Sequence, residues 1–211
     1  GMIRKNSCHL SDIGSGIPNK INSHSKEINA ERFVENKWVD YERHYLPFIS
    51  CFLKGIFAVT LCKSTIYLVI DGSQTGKDHA TLMISVAWRG RGIPLCWLTK
   101  AGSKGHFTQN DHVSLFEQAK DVIAPLLSKE MSVTLLGDGE FDGINLQKSC
   151  LESGWDYVLR TSCDTILYEG EDRFQPKELS LGPRENCLFI PQVEFTGERY
   201  RYVNFVCWHD R

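Results

Sequence analysis

The chain lacks any apolar run near the ~20 residues that a membrane-spanning helix needs, and no membrane partner is expected. It also lacks a signal peptide, because Met2-Ile3-Arg4-Lys5-Asn6 leads into polar sequence without an apolar stretch. It contains no Cys-x-x-Cys pair. Its eight cysteines, Cys8, Cys51, Cys62, Cys96, Cys150, Cys163, Cys187 and Cys207, are scattered, mostly through apolar stretches. That spacing argues against structural zinc and for reduced core thiols in a cytosolic protein. A strong charge of either sign is missing too. The net charge of −2 over 211 residues does not advertise nucleic-acid binding.

What is present fits a globular protein with one sizeable core: 42% hydrophobic and 24% charged residues. Residues 1–24 are polar and aperiodic and are expected to form a flexible arm. Residues 25–64 form an N-terminal helical segment. There Phe33, Trp38, Tyr41, Tyr45, Phe48, Phe52 and Ile56 recur near a 3.6-residue period, with an interruption expected at Pro47.

Residues 65–162 alternate between strand and helix signals. The run 65–71 is apolar on both faces, as in a central strand. A hairpin follows, 80–89 and 93–100, turning at Gly90-Arg91-Gly92. Residues 111–127 predict an amphipathic helix capped by Asn110 or Asp111 and ended by Pro125. Then come a buried strand at 132–137, a short helix at 143–153 closed by Gly154, and a strand at 155–160. Residues 163–211 read as β, with strands at 165–168, 187–195 and 200–208.

Two aspartates stand out. Ile66-Tyr67-Leu68-Val69-Ile70 ends in Asp71, and Val133-Thr134-Leu135-Leu136-Gly137 ends in Asp138. Three antiparallel strands, a helix and a strand able to pair in parallel with the first is the order of an RNase-H-like sheet, which makes those two strand ends neighbours. Adjacent carboxylates repel unless a cation lies between them, and oxygen ligands suit Mg²⁺ or Mn²⁺. Asp71-Gly72 and Asp138-Gly139 are also ordinary turn dipeptides, but their matched placement after buried strands favours a site. The run from Asp138 to Gly143 begins like a calcium loop and fails at Glu140 and Ser149. No local signature supports a thiol nucleophile, and His79 and His106 are expected to be surface residues. Across residues 72–110 Lys77, Arg89, Arg91, Lys100 and Lys104 stand against Asp78 alone, which on its own reads as a solvated hairpin face and, beside the first carboxylate, as a patch for phosphates.

These residues resemble the DDE transposases of bacterial insertion sequences, in particular the type-four group. The resemblance runs from about Glu31 to Trp208. It is carried by Arg32-Phe33-Val34-Glu35-Asn36, Tyr67 to Ser73, Leu135 to Gly143, and Tyr157-Val158-Leu159-Arg160. It implies a retroviral-integrase-like mixed sheet with flanking helices, and a β insertion, incomplete here, over 163–211. It implies metal-dependent DNA cleavage at transposon ends followed by strand transfer into target DNA. The protein would be cytoplasmic and nucleoid-associated, with a homodimer in the synaptic complex. Asp71 and Asp138 correspond to the family's first two catalytic acids and metal ligands. Lys77, Arg89, Arg91, Lys104 and Arg160 are candidate DNA contacts.

Two departures mark the chain. Gly139 stands where the family has arginine. The helix with the family's final glutamate is not found, and Glu178, Glu185, Glu194 and Glu198 fall in predicted loops or strands. The expectation is a truncated catalytic core. The alternatives are an inactive DNA-binding remnant of a decayed element, or a nuclease using Glu140 or Asp142 as its third acid.

Overall fold

The structure, a computed structural model, describes residues 9–18, 20–59, 64–75, 78–102, 105, 107–181 and 186–208. The chain divides into two compact units, Gly1–Val59 and Thr60–Arg211.

The first unit is helical. Helices α1 (Leu10–Ser15) and α2 (Ser23–Val34) pack together. Within the arm expected over residues 1–24, residues 10–15 are helical and α2 begins at Ser23. The cause is a glycine that periodicity does not register. A Cβ at Gly14 would stand 2.8 Å from the Glu27 backbone nitrogen, so glycine permits the close approach of the two helices. Asn22 caps α2, its side chain accepting from the Ser25 N–H at 2.7 Å.

A π-helical turn, Tyr41–Tyr45, leads directly into α3 (Leu46–Val59). Pro47 does not interrupt this helix. It is the second residue of α3, where the π-helical turn gives way to α-helix, so the helical run passes through it with a change of pitch. Ile49, Leu53, Ile56 and Phe57 form the buried stripe of α3.

The second unit is α/β and holds a five-stranded mixed sheet in the order β3-β2-β1-β4-β5. Its strands are β1 (Thr65–Gln74), β2 (His79–Trp88), β3 (Arg91–Ala101), β4 (Ser132–Gly137) and β5 (Asp156–Leu159). The first three pair antiparallel, and β1, β4 and β5 run parallel. Helices α4 (Gln109–Ile123) and α5 (Ile144–Glu152) flank the sheet.

Strand alternation explains which face is covered. Ile66, Leu68 and Ile70 of β1 join Leu82, Ile84 and Val86 of β2 and Val133 and Leu135 of β4 in the core, with Leu115, Phe116, Ala119 and Ile123 of α4. The intervening residues face outward, and Tyr67, Trp97 and Val158 remain exposed.

Thr108, not Asn110 or Asp111, is the N-cap of α4. Its hydroxyl accepts from the Asp111 N–H at 3.3 Å, and the Asp111 carboxylate accepts from the Thr108 N–H at 2.9 Å. A short 3-10 turn containing Pro125 follows this helix. Gly154, at φ 70°, follows the C-cap of α5.

The residues after Cys163 form a second sheet in the order β7-β6-β8-β9. Its strands are β6 (Leu167–Glu169), β7 (Asp172–Phe174), β8 (Cys187–Phe195) and β9 (Tyr202–Trp208). Leu167, Val193, Phe195 and Phe205 make its small core, against which Ile144 packs. Strand β7 was not anticipated, because Asp172-Arg173-Phe174 is too short and polar to show alternation. Among the described residues, no helix is long and apolar enough to cross a membrane.

Candidate active site

The parallel pairing of β1 with β4 ends at Ile70 opposite Gly137. Asp71 and Asp138 are the next residues of their chains. The pairing of β4 with β5 ends at Gly137 opposite Leu159, and the Arg160 N–H donates to the Gly137 carbonyl at 2.9 Å. Asp71, Asp138 and Arg160 thus follow the last parallel pairing of three adjacent strands, spaced by ~4.8 Å per strand; β1, expected to end at Asp71, runs on to Gln74 because β2 continues to pair with it, so Asp71 lies within the strand opposite Met83. All three are exposed.

Gly137 sets this convergence. A Cβ there would stand 2.9 Å from Leu159 Cδ2 and 3.0 Å from both Ile70 Cγ2 and Phe141 Cβ. Glycine lets the flanking side chains and the following loop close over the end of β4. The Asp138 carboxylate also shapes that loop, because its Oδ1 accepts from the Glu140 N–H at 3.1 Å. The turn role and a metal role are compatible, since a carboxylate has several acceptor positions.

The loop after Asp138 is held from beneath. Phe141 is fully buried, and the His112 ring meets it edge-on at 5.0 Å between centroids. His112 is itself buried, and neither ring nitrogen has a hydrogen-bond partner among the described residues. Burial holds its pKa below the usual imidazole value, opposed by the nearby Asp111 charge. Gly143 lies against Gln109 at the start of α4, where a Cβ would stand 3.0 Å from Gln109 Cδ.

The two acids weighed as third ligands have different surroundings. Glu140 folds toward the residue after Asp71 in β1, where a Cβ on Gly72 would stand 3.5 Å from its Oε2. Asp142 is engaged elsewhere: its Oδ2 accepts from the Thr161 hydroxyl at 2.6 Å and its carbonyl from Gln147 Nε2 at 2.7 Å. Among the described residues, no three His, Cys, Asp or Glu side chains gather as a metal-holding group. Asp71 and Asp138 are neighbours by backbone pairing, two oxygen-donor residues on adjacent strands.

The basic candidates separate. Arg160 follows β5, its backbone bonded to the residue before Asp138. Arg89 and Arg91 lie at the β2–β3 turn, at the opposite edge of the sheet. Arg89 at φ 48° and Gly90 at φ 74° form the two-residue turn, one position earlier than the sequence suggests. The Arg89 guanidinium lies over the Trp88 ring at 5.4 Å. Lys100 is drawn to the N-terminal turn of α4, with Nζ 2.6 Å from Asp111 Oδ1. That pairing and the Thr108 cap hold the Asp111 pKa below the ordinary carboxylate value. Lys77 and Lys104 lie outside the described residues. Sequence reasoning missed His112 and the Thr108 cap. The Thr108-x-x-Asp111 spacing was the available signal for the cap, whereas nothing local marks His112 as buried.

No family model matches the chain, and no curated protein matches it. A solved structure described as a structural study of the Aquifex aeolicus PPX-GPPA enzyme aligns with 46% of this chain and 36% of its own, at 12% identity and a TM-score of 0.23. The aligned part spans about a third of that enzyme, and a likeness this low carries no argument.

Proposed function

We propose that the chain is the catalytic core of a DDE-type transposase of the bacterial insertion-sequence kind, built on an RNase-H-like sheet. One observation carries this reading: Asp71 and Asp138 are the first residues past the last paired position of two adjacent parallel strands. The strand order β3-β2-β1-β4-β5, with three antiparallel strands followed by two parallel ones, supports the finer fold. The second sheet corresponds to the β insertion of these enzymes.

The substrate is DNA at a transposon end. Asp71 and Asp138 would hold Mg²⁺ or Mn²⁺, and such ions activate the attacking oxygen and stabilise the leaving one in phosphodiester chemistry. Arg160, one strand further along, is placed to contact a backbone phosphate. The proposed reaction is hydrolysis of one strand at the transposon end, followed by attack of the freed 3′-hydroxyl on target DNA.

The test is nicking of a supercoiled plasmid carrying a transposon end, in Mg²⁺ and in Mn²⁺. Asp71→Asn and Asp138→Asn should each lower nicking by more than the ~10–100-fold that loss of an outer-shell partner of a metal ligand costs. Calorimetric Mn²⁺ binding should weaken in parallel. Nicking that survives both substitutions would remove the carboxylates from the chemistry.

A second reading keeps the fold without the chemistry. In it the chain is a DNA-binding remnant without activity. DNA affinity without measurable Mn²⁺ binding would select it. A separate nuclease using Asp142 gains no support, because Thr161 and Gln147 hold that residue.

A further inference from the structure

The loop that begins at Asp138 is fastened at both ends and in the middle. At its start, the Phe141 N–H donates to the Asp138 carbonyl and the Glu140 N–H to Asp138 Oδ1, each at 3.1 Å. At its end, the Asp142 carbonyl accepts from Gln147 Nε2 and Asp142 Oδ2 from the Thr161 hydroxyl. Between them the buried Phe141 ring meets the His112 ring of α4 edge-on. The two ends are ordinary polar bonds. The middle sets an imidazole, 3% exposed and with no hydrogen-bond partner at either nitrogen among the described residues, against an apolar ring. Packing alone does not call for histidine here, since an aliphatic side chain would fill the site without burying two polar nitrogens.

Little around the ring favours its charged form. His112 is the fourth residue of α4, in the turn where the helix dipole opposes a cation. Asp111 favours the cation, but its carboxylate is paired with Lys100 of β3. The thiols of Cys96 on β3 and Cys150 on α5 stay neutral, because burial pushes each up to about 12. His79 of β2, Arg91 of β3 and the Lys148–Glu152 pair of α5 are exposed. From the loop, Asp142 is bonded to Thr161, Glu140 turns toward Gly72, and Asp138 is exposed.

We propose that His112 is a pH-sensitive positioning residue for Asp138. Neutral, it seats Phe141 and keeps the loop closed. Protonated, it gains water only by displacing what covers it, and the loop opens at Phe141. Moving α4 instead would break the Thr108 cap and uncover the stripe of Leu115, Phe116, Ala119 and Ile123. The opening reaches Asp138 through Gly137, where a Cβ would stand 3.0 Å from Phe141 Cβ, and through the two bonds that Asp138 accepts from the loop. The consequence for metal at Asp138 rests on the function given above, whereas the opening itself does not.

Hydrogen exchange of the native protein from pH 7.5 to 5, corrected for the intrinsic rate at each pH, tests it. The Phe141 amide should be about tenfold or more less protected than the core amides of β1, as a local opening requires. Its protection should fall about tenfold per pH unit between 6.5 and the lowered pKa of His112, the effect of one proton taken up on opening. In His112→Leu that fall should be absent. Protection of Phe141 equal to that of β1 at every pH overturns the proposal, because the loop would then open only with the whole fold. The same pH dependence in wild type and His112→Leu overturns it too. If the variant does not fold, the wild-type comparison decides alone. Calorimetric Mn²⁺ binding at pH 7.5 and 5.5 separates this inference from the function. Loop opening on acidification with no Mn²⁺ binding at either pH keeps the role of His112 and removes the metal site. Mn²⁺ binding without loop opening does the reverse.

Discussion

Gly137 lies between Ile70 and Leu159, at the last paired position of β4 with both neighbouring strands. Its missing side chain is a packing requirement, because an added Cβ would meet Ile70 Cγ2 at 3.0 Å and Leu159 Cδ2 at 2.9 Å. Gly137→Ala should cost about 1–3 kcal/mol through overpacking. Urea unfolding should show a lower midpoint, and the Mn²⁺ binding proposed for Asp138 should weaken because the end of β4 is displaced.

His112 makes stability depend on pH. Burial lowers its folded pKa below 6.5, its ordinary value. Between the lowered pKa and 6.5 the unfolded chain binds a proton that the folded chain refuses. Stability is therefore complete above about pH 6.5 and falls as the pH drops through that window. His112→Leu should flatten this dependence. It should also raise stability at neutral pH by about 1 kcal/mol or more, because two buried nitrogens without partners are removed. Thermal melts of both proteins from pH 7.5 to 5 check the sign.

Thr108 caps α4 through a reciprocal pair of bonds with Asp111. Thr108→Ala should cost about 0.5–2 kcal/mol. Asp111→Asn should cost a comparable amount and abolish the Lys100 ion pair as well. Chemical unfolding measures both.

The thiols should divide by burial. Cys96 and Cys150 are buried, and desolvation pushes each pKa up to about 12. Cys51, Cys163 and Cys187 are exposed. Alkylation of the native protein at pH 8, read by peptide mass spectrometry, should label those three and spare Cys96 and Cys150 until denaturant is added.

Much of the second unit was legible because its signals are local. The apolar runs of β1 and β4 and the stripe of α4 follow from residue order alone. The hairpin turn expected over Gly90-Arg91-Gly92 is the two residues Arg89-Gly90, because the strand pairing continues through Gly92 and Arg91 to Trp88. The helix over residues 10–15 was not legible. It depends on how closely Gly14 lets two helices approach, which leaves no periodic trace.

The candidate site was half legible. Asp71 and Asp138 were visible as acids ending buried runs, and strand order suggested that the runs were neighbours. The remote positions of Arg89 and Arg91 and the closeness of Arg160 were not visible. In sequence all three are basic residues near strand ends, and pairing direction separates them.

By itself the sequence determined the strands of the first sheet, to within a few residues at their ends, and that an aspartate follows the apolar run of two of them. These follow from side-chain alternation, a property of the chain within a few residues. Only the tertiary structure decided the register that sets Asp71, Asp138 and Arg160 side by side, the engagement of Asp142 by Thr161, and the burial of His112. Those depend on packing between segments far apart in the chain, where the absence of a side chain at Gly137 fixes how closely β1, β4 and β5 meet.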